Sequence, residues 1–281
     1  MSTTNVLDRI AITIDDAGVA DVRLNRPDKM NALDPVMFKA LVEASDMLAA
    51  DNSVRCVVLS GEGRAFCAGL DFSSFQGMAD GSREANTDEV TKEPEITAAN
   101  EGRITHMGQQ AVYGWTNLPV PVIGAIHGHA LGGGIQLALG TDIRFVHPET
   151  KMSVLEVRWG LVPDMTGTQS LIDIVGLDVA KELTWTGRMV SGTEAVELGL
   201  GTHLSEDPRA DALAMAGEIA QKSPHAIRAG KRLLNNASKV SVAEGFQAER
   251  QEIGALIGSP NQKESIMAFF EKRTANVANP D

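Results

Sequence analysis

Short apolar runs rich in β-branched residues mark the strands of the N-terminal half. Residues 9–15 and 19–24 alternate apolar with polar or small side chains, which predicts a β-hairpin that turns near Gly18. Residues 55–60 and 120–126 are almost continuously apolar and predict buried strands. Both of these runs lead into segments rich in glycine and small residues, so the pattern predicts two strand-to-turn junctions that could face one pocket.

Helical spacing dominates the remaining predicted elements. Asp34 and Pro35 have the residue types of an N-cap and a first helical position, and they predict a helix that runs to about Ala50. Residues 151–157 predict one more strand, which would carry Glu156 near its end. The other predicted helices cover residues 104–117, 169–184, 191–198, 207–221, 224–235, 242–257 and 262–273. The last third of the chain is therefore predicted to be nearly all helical.

One long segment lacks a clear periodic pattern. Residues 73–109 are polar, charged and poor in aromatic side chains, which predicts a mobile loop that leads into a helix. Loops of this length inside a compact domain are usually either functional or disordered. An active-site lid and a flexible insert are both compatible with this composition.

Composition and charge narrow the classes of partner. With 281 residues and 43% hydrophobic content, the chain is long enough to bury a sizeable core. A formal net charge of −12 argues against nucleic acid or an anionic membrane surface as the partner, because both require a basic footprint. Cys56 and Cys67 form no CxxC pair, and the sequence has neither a signal-peptide pattern nor a membrane-spanning apolar run. We therefore expect a cytoplasmic protein.

The glycine run at 132–134 lies where a predicted strand ends and a predicted helix begins. Glycines carry no Cβ, so a ligand can lie against the main chain, and the first amides of a helix have no intrahelical acceptor. Such a turn can bind an anionic oxygen, although a simply packed turn under a helix is the alternative.

Other binding chemistries find weaker support in the sequence. His127 and His129 could share a metal, but no third ligand cluster accompanies them, and no metal is expected. Neither a GxGxxG fingerprint nor a P-loop is present. Ser73 and Ser74 lie near the first glycine-containing turn, yet the sequence has no GxSxG elbow, so a serine peptidase is a remote alternative.

Two segments carry a family resemblance in combination. AFCAGLD at 65–71 and GHALGGGIQLALGTDIRF at 128–145 together resemble the paired signatures of the crotonase superfamily, also called the enoyl-CoA hydratase/isomerase family. The resemblance extends over about residues 9–273. It implies that the amides of Leu70 and Gly133 form an oxyanion hole, which holds the thioester carbonyl oxygen of an acyl-CoA as it becomes an enolate.

The resemblance also implies an architecture and an assembly. The family fold is an α/β spiral of strand-strand-helix repeats, followed by C-terminal helices that pack in trimers, often paired into hexamers. We therefore expect residues 1–205 to form the core with the acyl-CoA site, and residues 206–281 to form a helical region for oligomerisation and pocket covering. The expected partners are an acyl-CoA substrate and further copies of the chain, with no cofactor beyond the coenzyme A portion of the substrate.

The coenzyme A site is implied by a third motif. NRPDKMNALD at 25–34 resembles the segment that shapes the nucleotide side of the pocket in this family. The resemblance implies backbone contacts from Ala32 to adenine, a further contribution from Ala68, and contact between Lys29 and a phosphate. The alternative for Lys29 is a solvated side chain.

The last predicted helix combines an apolar stripe with positive charge. Phe269 and Phe270 recur with Ile266 at helical spacing, and Lys272 follows them. The resemblance implies that Phe269 covers the adenine in a neighbouring subunit while Lys272 approaches the phosphates. Packing of the phenylalanines on their own subunit is the alternative.

The acid and base groups of the predicted pocket fit neither of two family patterns completely. Enoyl-CoA hydratases of the family hold two glutamates, and here Glu156 keeps one of the positions while Gln136 occupies the other, with no proton to exchange. Asp164 resembles the loop acid of the family's dienoyl-CoA isomerases, in which two carboxylates exchange protons with carbons of the acyl chain of the substrate. The alternatives are a loop cap for Asp164 and a surface position for Glu156. We expect double-bond isomerisation, with hydration and a catalytically weak acyl-CoA-binding protein as alternatives.

Overall fold

The computed structural model describes residues 2–79 and 103–280 and has the mixed α/β architecture that the sequence predicts. Its strands are β1 (Thr3–Val6), β2 (Ile10–Ile14), β3 (Val19–Leu24), β4 (Cys56–Gly61), β5 (Val122–Ile126), β6 (His129–Leu131), β7 (Ile143–Val146), β8 (Lys151–Ser153), β9 (Val190–Ser191) and β10 (His203–Leu204). Its helices are α1 (Pro35–Ala50), α2 (Phe72–Ala79), α3 (Met107–Thr116), α4 (Gly133–Leu139), α5 (Gly167–Val175), α6 (Leu177–Thr186), α7 (Gly192–Glu197), α8 (Pro208–Ala220), α9 (Pro224–Asn236), α10 (Val242–Leu256) and α11 (Pro260–Glu271).

The larger sheet combines an antiparallel edge with a parallel centre. Its strand order is β1-β2-β3-β4-β5-β7-β10. Strands β1, β2 and β3 pair antiparallel, and the predicted hairpin is confirmed, with Ile14 opposite Ala20 next to the turn. From β3 to β10 the neighbouring strands run parallel. Helix α1 connects β3 to β4 and supplies the crossover that a parallel pair requires.

The central strands are covered on both faces, which explains their continuous apolar runs. On β4, Val57 and Leu59 belong to the main core together with residues of α1. Val58 points to the opposite face, where alanines of α8 close a second apolar cluster. Part of the predicted C-terminal region therefore packs directly on the sheet, and a division of the chain near residue 205 stays a prediction.

A smaller sheet lies directly before the glycine-rich turn. Its strand order is β6-β8-β9, with β6 parallel to β8 and β8 antiparallel to β9. Ala130 of β6 also forms an isolated bridge with Cys67. The sequence did not predict β6, because three residues are too few for an alternation to be recognised, and the strand depends on its pairing partners.

The segment predicted as a loop differs from that prediction at both ends. Helix α2 begins at Phe72, so the predicted loop at 73–109 is wrong at its start, and residues 80–102 lie outside the described residues. The following helix begins at Met107, because His106 caps it by accepting a hydrogen bond on Nδ1 from the amide of Gly108 at 3.1 Å.

Two further predictions are wrong in their boundaries. The strand predicted at 151–157 ends at Ser153, and a 3₁₀ helix covers Glu156–Trp159, so Glu156 begins a helical turn. The helix predicted at 169–184 is two helices, because Gly176 adopts φ +79° and ends α5 where α6 begins. The other C-terminal helices lie within two residues of their predicted ends. In the described ranges, no helix has the length and apolar character needed to cross a bilayer.

The C-terminal tail returns to the core and attaches α11 to its own chain. Arg55 donates from Nη2 to Val277 O at 2.7 Å and from Nε to Asn279 Oδ1 at 2.8 Å. The Asn261 amide pairs with Ala278 in both directions, since Nδ2 donates to the Ala278 carbonyl at 2.8 Å and Oδ1 accepts from its amide at 2.9 Å.

Candidate active site

The segment that carries Leu70 lies between two other segments of the chain. On one side, the Cys67 amide donates to His129 O at 2.9 Å, and the Leu131 amide donates to Cys67 O at 3.1 Å. On the other side, Leu33 donates to Gly69 O at 2.7 Å and accepts from the Asp71 amide at 2.9 Å. These backbone bonds bring three segments that are remote in sequence to one place.

Gly69 lies next to both of the amides that the sequence predicted as an oxyanion hole, since it precedes Leu70 and approaches Gly133. It has φ +87°, and a Cβ at this position would lie 2.5 Å from Leu131 O and 3.6 Å from Gly133 N. In the part of the chain that the structure describes, neither the Leu70 amide nor the Gly133 amide donates to a carbonyl or a side chain. The Gly133 amide is at the first turn of α4, where no intrahelical acceptor exists. Both donors are therefore available to an oxygen atom of a ligand.

Glu156 is a buried carboxylate beside this turn. Glu156 is only 8% exposed, and a Cβ at Gly132 would lie 3.5 Å from Oε1 of Glu156. Gln136 Nε2 donates to Oε1 at 2.6 Å, whereas the buried Oε2 has no partner among the described residues. Burial raises the pKa of Glu156, the bond from Gln136 lowers it, and the charge of Asp164 raises it. The alternative of a surface glutamate is wrong.

Gln136 is buried and bonds through both the nitrogen and the oxygen of its amide. The residue is 1% exposed, and Oε1 accepts hydrogen bonds from the amides of Met165 at 2.8 Å and Gly167 at 3.0 Å. A Cβ at Gly167 would lie 2.5 Å from this oxygen, so the close approach requires glycine. Gln136 thus connects Glu156 to the loop that carries Asp164.

Asp164 lies at the exposed side of this loop. Its side chain is exposed and forms no hydrogen bond with a described residue. The predicted alternative, a loop cap, is wrong, because Asp164 accepts no backbone amide from a described residue, and the N-cap position of the following helix is Thr166, whose own side chain makes no cap bond. The charge of Asp164 still contributes to the raised pKa of Glu156.

Two neighbours of Asp164 were missed by the sequence analysis. Met165 is buried, and its Sδ would lie 2.9 Å from a Cβ at Gly133, so it packs over the glycine turn. Thr166 has φ +67°, which is uncommon for a non-glycine residue, and its buried Oγ1 has no partner among the described residues. A left-handed residue leaves no periodic signal in the sequence. Neither the conformation of Thr166 nor the packing of Met165 over the turn could therefore be predicted.

The residues predicted for coenzyme A lie along the same segments. The Ala32 amide donates to Lys29 O at 3.1 Å, and the Ala32 carbonyl accepts from Arg26 Nη1 at 3.1 Å. The Ala68 amide donates to Met30 O at 3.0 Å. Lys29 is exposed at the end of a 3₁₀ helix, so its ammonium group is accessible to a phosphate. The backbone donors of Ala32 and Ala68 are already used, which leaves the Ala68 carbonyl oxygen and the second lone pair of the Ala32 carbonyl oxygen for a ligand.

The phenylalanines of α11 are exposed in the single chain. Phe269 is 77% and Phe270 is 74% exposed, and their rings meet edge to face at 5.7 Å between centroids. Packing on their own subunit, the alternative for this stripe, is therefore wrong. Lys272 is exposed and adopts the left-handed conformation that ends the helix.

The two histidines of the glycine-rich segment have no third metal-ligating side chain beside them among the described residues. His127 Nε2 lies 2.9 Å from Gly63 O, and burial lowers the pKa of His129, helped by the charges of Lys151 and Arg64. Over residues 2–79 and 103–280, no group of three potential metal ligands comes together.

The fold and the two strand-to-turn junctions define a family. The sequence matches the family model described as enoyl-CoA hydratase/isomerase over residues 15–279, and the chain belongs to this family, the crotonase superfamily. A crystal structure of an enoyl-CoA hydratase from Bacillus anthracis is similar with a TM-score of 0.83 at 31% identity, over 96% of this chain and 98% of that chain. This likeness confirms the predicted crotonase-like α/β fold with its helical C-terminal region.

Curated relatives with similar sequences carry the names of hydratases. The Mus musculus protein named Enoyl-CoA hydratase domain-containing protein 2, mitochondrial, is 34% identical over 270 residues, which cover 94% of this chain and 85% of the relative. The Homo sapiens protein named Methylglutaconyl-CoA hydratase, mitochondrial, is 31% identical over 263 residues, which cover 91% of this chain and 72% of the relative.

Proposed function

We propose that this protein is a 3-enoyl-CoA isomerase in which Glu156 is the single proton carrier. One observation carries the proposal: Glu156 is a buried carboxylate beside the glycine turn, one of its oxygens has no partner among the described residues, and Gln136 occupies the second acid position. A double-bond shift needs one group that removes a proton and returns it, and one carboxylate is sufficient for this reaction.

The proposed reaction has two proton transfers. Oε2 of Glu156 removes a proton from carbon 2 of a 3-enoyl thioester, and the electron pair moves to the carbonyl oxygen to form a dienolate. The amides of Leu70 and Gly133 donate hydrogen bonds to this oxyanion and stabilise it. Glu156 then returns the proton to carbon 4, and the double bond moves to position 2. The raised pKa of Glu156 suits the first step, because a carboxyl group that holds its proton more tightly is a stronger base once ionised.

Isomerisation is favoured over hydration by the bonds that Gln136 makes. Hydration with two carboxylates needs a second acid or base to handle the proton of water, and an amide has no proton to exchange. The oxygen of Gln136 already accepts two backbone amides and one of its two N–H groups donates to Glu156, so only the remaining N–H is left to contact a water molecule, and it cannot accept the proton of that water. The two-acid mechanism of dienoyl-CoA isomerases is less favoured, because Asp164 is exposed.

Hydration of a 2-enoyl-CoA is the second candidate function. It is supported by the relatives, since one protein 31% identical to this chain is named a hydratase and one 34% identical is named for an enoyl-CoA hydratase domain. In such a reaction, Glu156 would be the one residue that exchanges protons, and Gln136 would only position the water. We would therefore expect hydration to be slow.

The test compares three substrates and three proteins. Wild type, Glu156→Gln and Asp164→Asn are incubated with 2-enoyl-, 3-enoyl- and 3,5-dienoyl-CoA thioesters, and absorbance is followed. We expect turnover of 3-enoyl-CoA that falls about 100-fold or more in Glu156→Gln, with acyl-CoA affinity within about threefold of wild type by calorimetry. Asp164→Asn is the comparison variant: it removes an exposed charge that only adds to the raised pKa of Glu156, so it is expected to change turnover much less than Glu156→Gln does.

Each other outcome names a different function. Turnover of 3,5-dienoyl-CoA that is lost equally in both variants would establish a two-acid isomerase. Water addition to 2-enoyl-CoA as the main activity would establish a hydratase. Tight binding without turnover of any of the three would leave an acyl-CoA-binding protein. Activity of Glu156→Gln within about threefold of wild type would remove Glu156 from the mechanism.

A further inference from the structure

Arg26 joins the segments that carry the predicted coenzyme A and oxyanion residues. Its Nη1 donates to Asp71 Oδ2 at 2.5 Å and to the Ala32 carbonyl at 3.1 Å. The ion pair is largely shielded from water, with side-chain exposures of 17% for Arg26 and 10% for Asp71. Asp71 directly follows Leu70, and so one guanidinium group touches both segments.

The Asp71 carboxylate is fixed on its other side as well. Its Oδ1 accepts hydrogen bonds from the Ser73 amide at 2.9 Å and the Ser73 hydroxyl at 2.7 Å. These bonds from Ser73, with a further contribution from Arg26, lower the pKa of Asp71 to about 2. The group therefore remains ionised and keeps its partner throughout the pH range in which the enzyme can be assayed.

The backbone of Arg26 is itself held in place. Its amide donates to Asn31 Oδ1 at 2.8 Å, and Asn31 Nδ2 donates to the carbonyls of Glu62 at 3.0 Å and Ala65 at 2.8 Å. Asn31 is fully buried. The guanidinium therefore extends from a rigid support to the residue next to Leu70.

We propose that Arg26 is a positioning residue, which fixes the Leu70 amide in the oxyanion hole by holding Asp71 and the Ala32 carbonyl at the same time. The Leu70 peptide lies between Gly69 and Asp71, whose backbone groups both bond to Leu33. Rotation of the Gly69–Leu70 peptide would turn the Leu70 N–H away from the carbonyl oxygen of a substrate. The Leu33 amide holds this peptide at Gly69 O, and the Arg26–Asp71 pair holds the residue that follows Leu70, so both oppose the rotation. This role rests on the proposed function of Leu70.

Arg9 is a matched control for this role. It forms a comparable ion pair with Asp34, at 2.9 Å from Nη2 to Oδ2, with side-chain exposures of 24% and 14%. Arg26 Nη2 also lies 3.7 Å from Asp34 Oδ2, so both arginines approach the same carboxylate oxygen. Arg9 has no hydrogen bond or ion pair to Asp71.

The experiment compares Arg26→Gln, Arg26→Lys and Arg9→Gln with wild type. The probe is 2,4-hexadienoyl-CoA, a conjugated thioester whose absorption moves to longer wavelength when its carbonyl oxygen is polarised by hydrogen bonds. We expect Arg26→Gln to lose at least about half of this shift and to lower kcat on 3-enoyl-CoA about 10- to 100-fold, with KM within about threefold. Arg26→Lys is expected to fall between wild type and Arg26→Gln, and Arg9→Gln to match wild type.

The outcomes separate the role of Arg26 from the proposed reaction. A full spectral shift and an unchanged kcat in folded Arg26→Gln would overturn the role of Arg26, and a KM that rises with kcat unchanged would make it a coenzyme A ligand instead. If Arg26→Gln does not fold, Arg26→Lys gives the decisive reading, and wild-type behaviour there would overturn the role. A wild-type protein that shifts the probe but isomerises no enoyl-CoA would overturn the proposed function alone.

Discussion

Gln136 offsets part of the effect of burial on the pKa of Glu156. A neutral amide donates to the carboxylate at 2.6 Å and therefore stabilises its charged form, against the effect of burial. A glutamate at the same position would place a second carboxylate at this distance. The choice of amide therefore keeps one acidic group, with one raised pKa, in the centre of the candidate site.

Replacing Gln136 by Glu is expected to change both pH dependence and reaction preference. Two carboxylates in contact cannot both ionise easily, so the pair would titrate with one pKa raised further. We expect the apparent pKa in the pH–rate profile of isomerisation to shift upward by about one unit or more. We also expect any hydration of 2-enoyl-CoA to increase. Gln169→Glu is the control, because Gln169 is exposed on the next helix. An unchanged pH–rate profile for Gln136→Glu would contradict this expectation.

Glu156 is also expected to make folding stability depend on pH. Because burial raises its pKa in the folded protein, its stabilising contribution is fully present below the ordinary value of 4.5 and is lost as pH rises through the raised value. Glu156→Gln has no such loss, so its melting temperature relative to wild type should increase between about pH 4 and pH 8. Calorimetry of both proteins measures this, with the exposed Glu149→Gln as control. A difference that stays constant with pH would refute the assignment.

At the scale of elements, the sequence predicted best where pattern and local chemistry agree. The residue types of Asp34 and Pro35 predict the start of helix α1, and both signals are local. In the structure, Asp34 accepts from the Met37 amide as the N-cap, and Pro35 occupies the first helical position, where an amide N–H would have no acceptor. Strand β6 was missed, since its three residues are a strand only through pairing with β8. The family motifs identified Leu70 and Gly133, but not Arg26, whose partners are up to 45 residues away in sequence.

The attachment of α11 to the C-terminal tail predicts a local stability effect. Asn261 is buried, and its amide bonds to Ala278 in both directions, so Asn261→Ala would remove both bonds. We expect a loss of about 1–3 kcal/mol in the free energy of unfolding. Asn279→Ala, which removes one exposed bond to Arg55, should cost less than about 0.5 kcal/mol. Urea unfolding of both variants measures the difference, and equal losses would contradict the role of Asn261.

At the scale of the whole molecule, the C-terminal helices expose an unusual amount of apolar surface. Helix α10 has no buried residue in the single chain. The exposed apolar residues on or next to α10 and α11 include Val242, Phe246, Ile253, Ile257, Ile266, Met267, Phe269 and Phe270. Extended exposed apolar surface is typical of a protein interface. The homotrimer, or dimer of trimers, that the family resemblance implies stays a prediction that this surface supports.

Substitutions on α11 test assembly and coenzyme A binding together. If Phe269 and Phe270 contact a neighbouring subunit at its coenzyme A site, replacing both by Ser should weaken the oligomer and also weaken CoA binding, since a ligand of the assembled state stabilises it. Lys272→Glu should weaken CoA binding about 10-fold with the oligomer intact, and the exposed Lys263→Glu on the same helix is the control. Sedimentation and calorimetry measure both quantities. A monomeric double variant that binds CoA as tightly as wild type would defeat the idea.

The two cysteines are buried, so the rate at which each is chemically labelled would report how often the structure around it opens. Burial raises the pKa of the thiols of Cys56 and Cys67 to about 12, so neither reacts with an alkylating reagent until its surroundings open. Cys56 reports on the sheet beneath α8, whereas Cys67, whose Sγ donates to Asn31 O at 3.2 Å, reports on the segment before Leu70. If acyl-CoA is held by that segment, it should slow the labelling of Cys67 more than that of Cys56. The ratio of the two labelling rates would then measure how strongly a substrate closes the site, without any turnover.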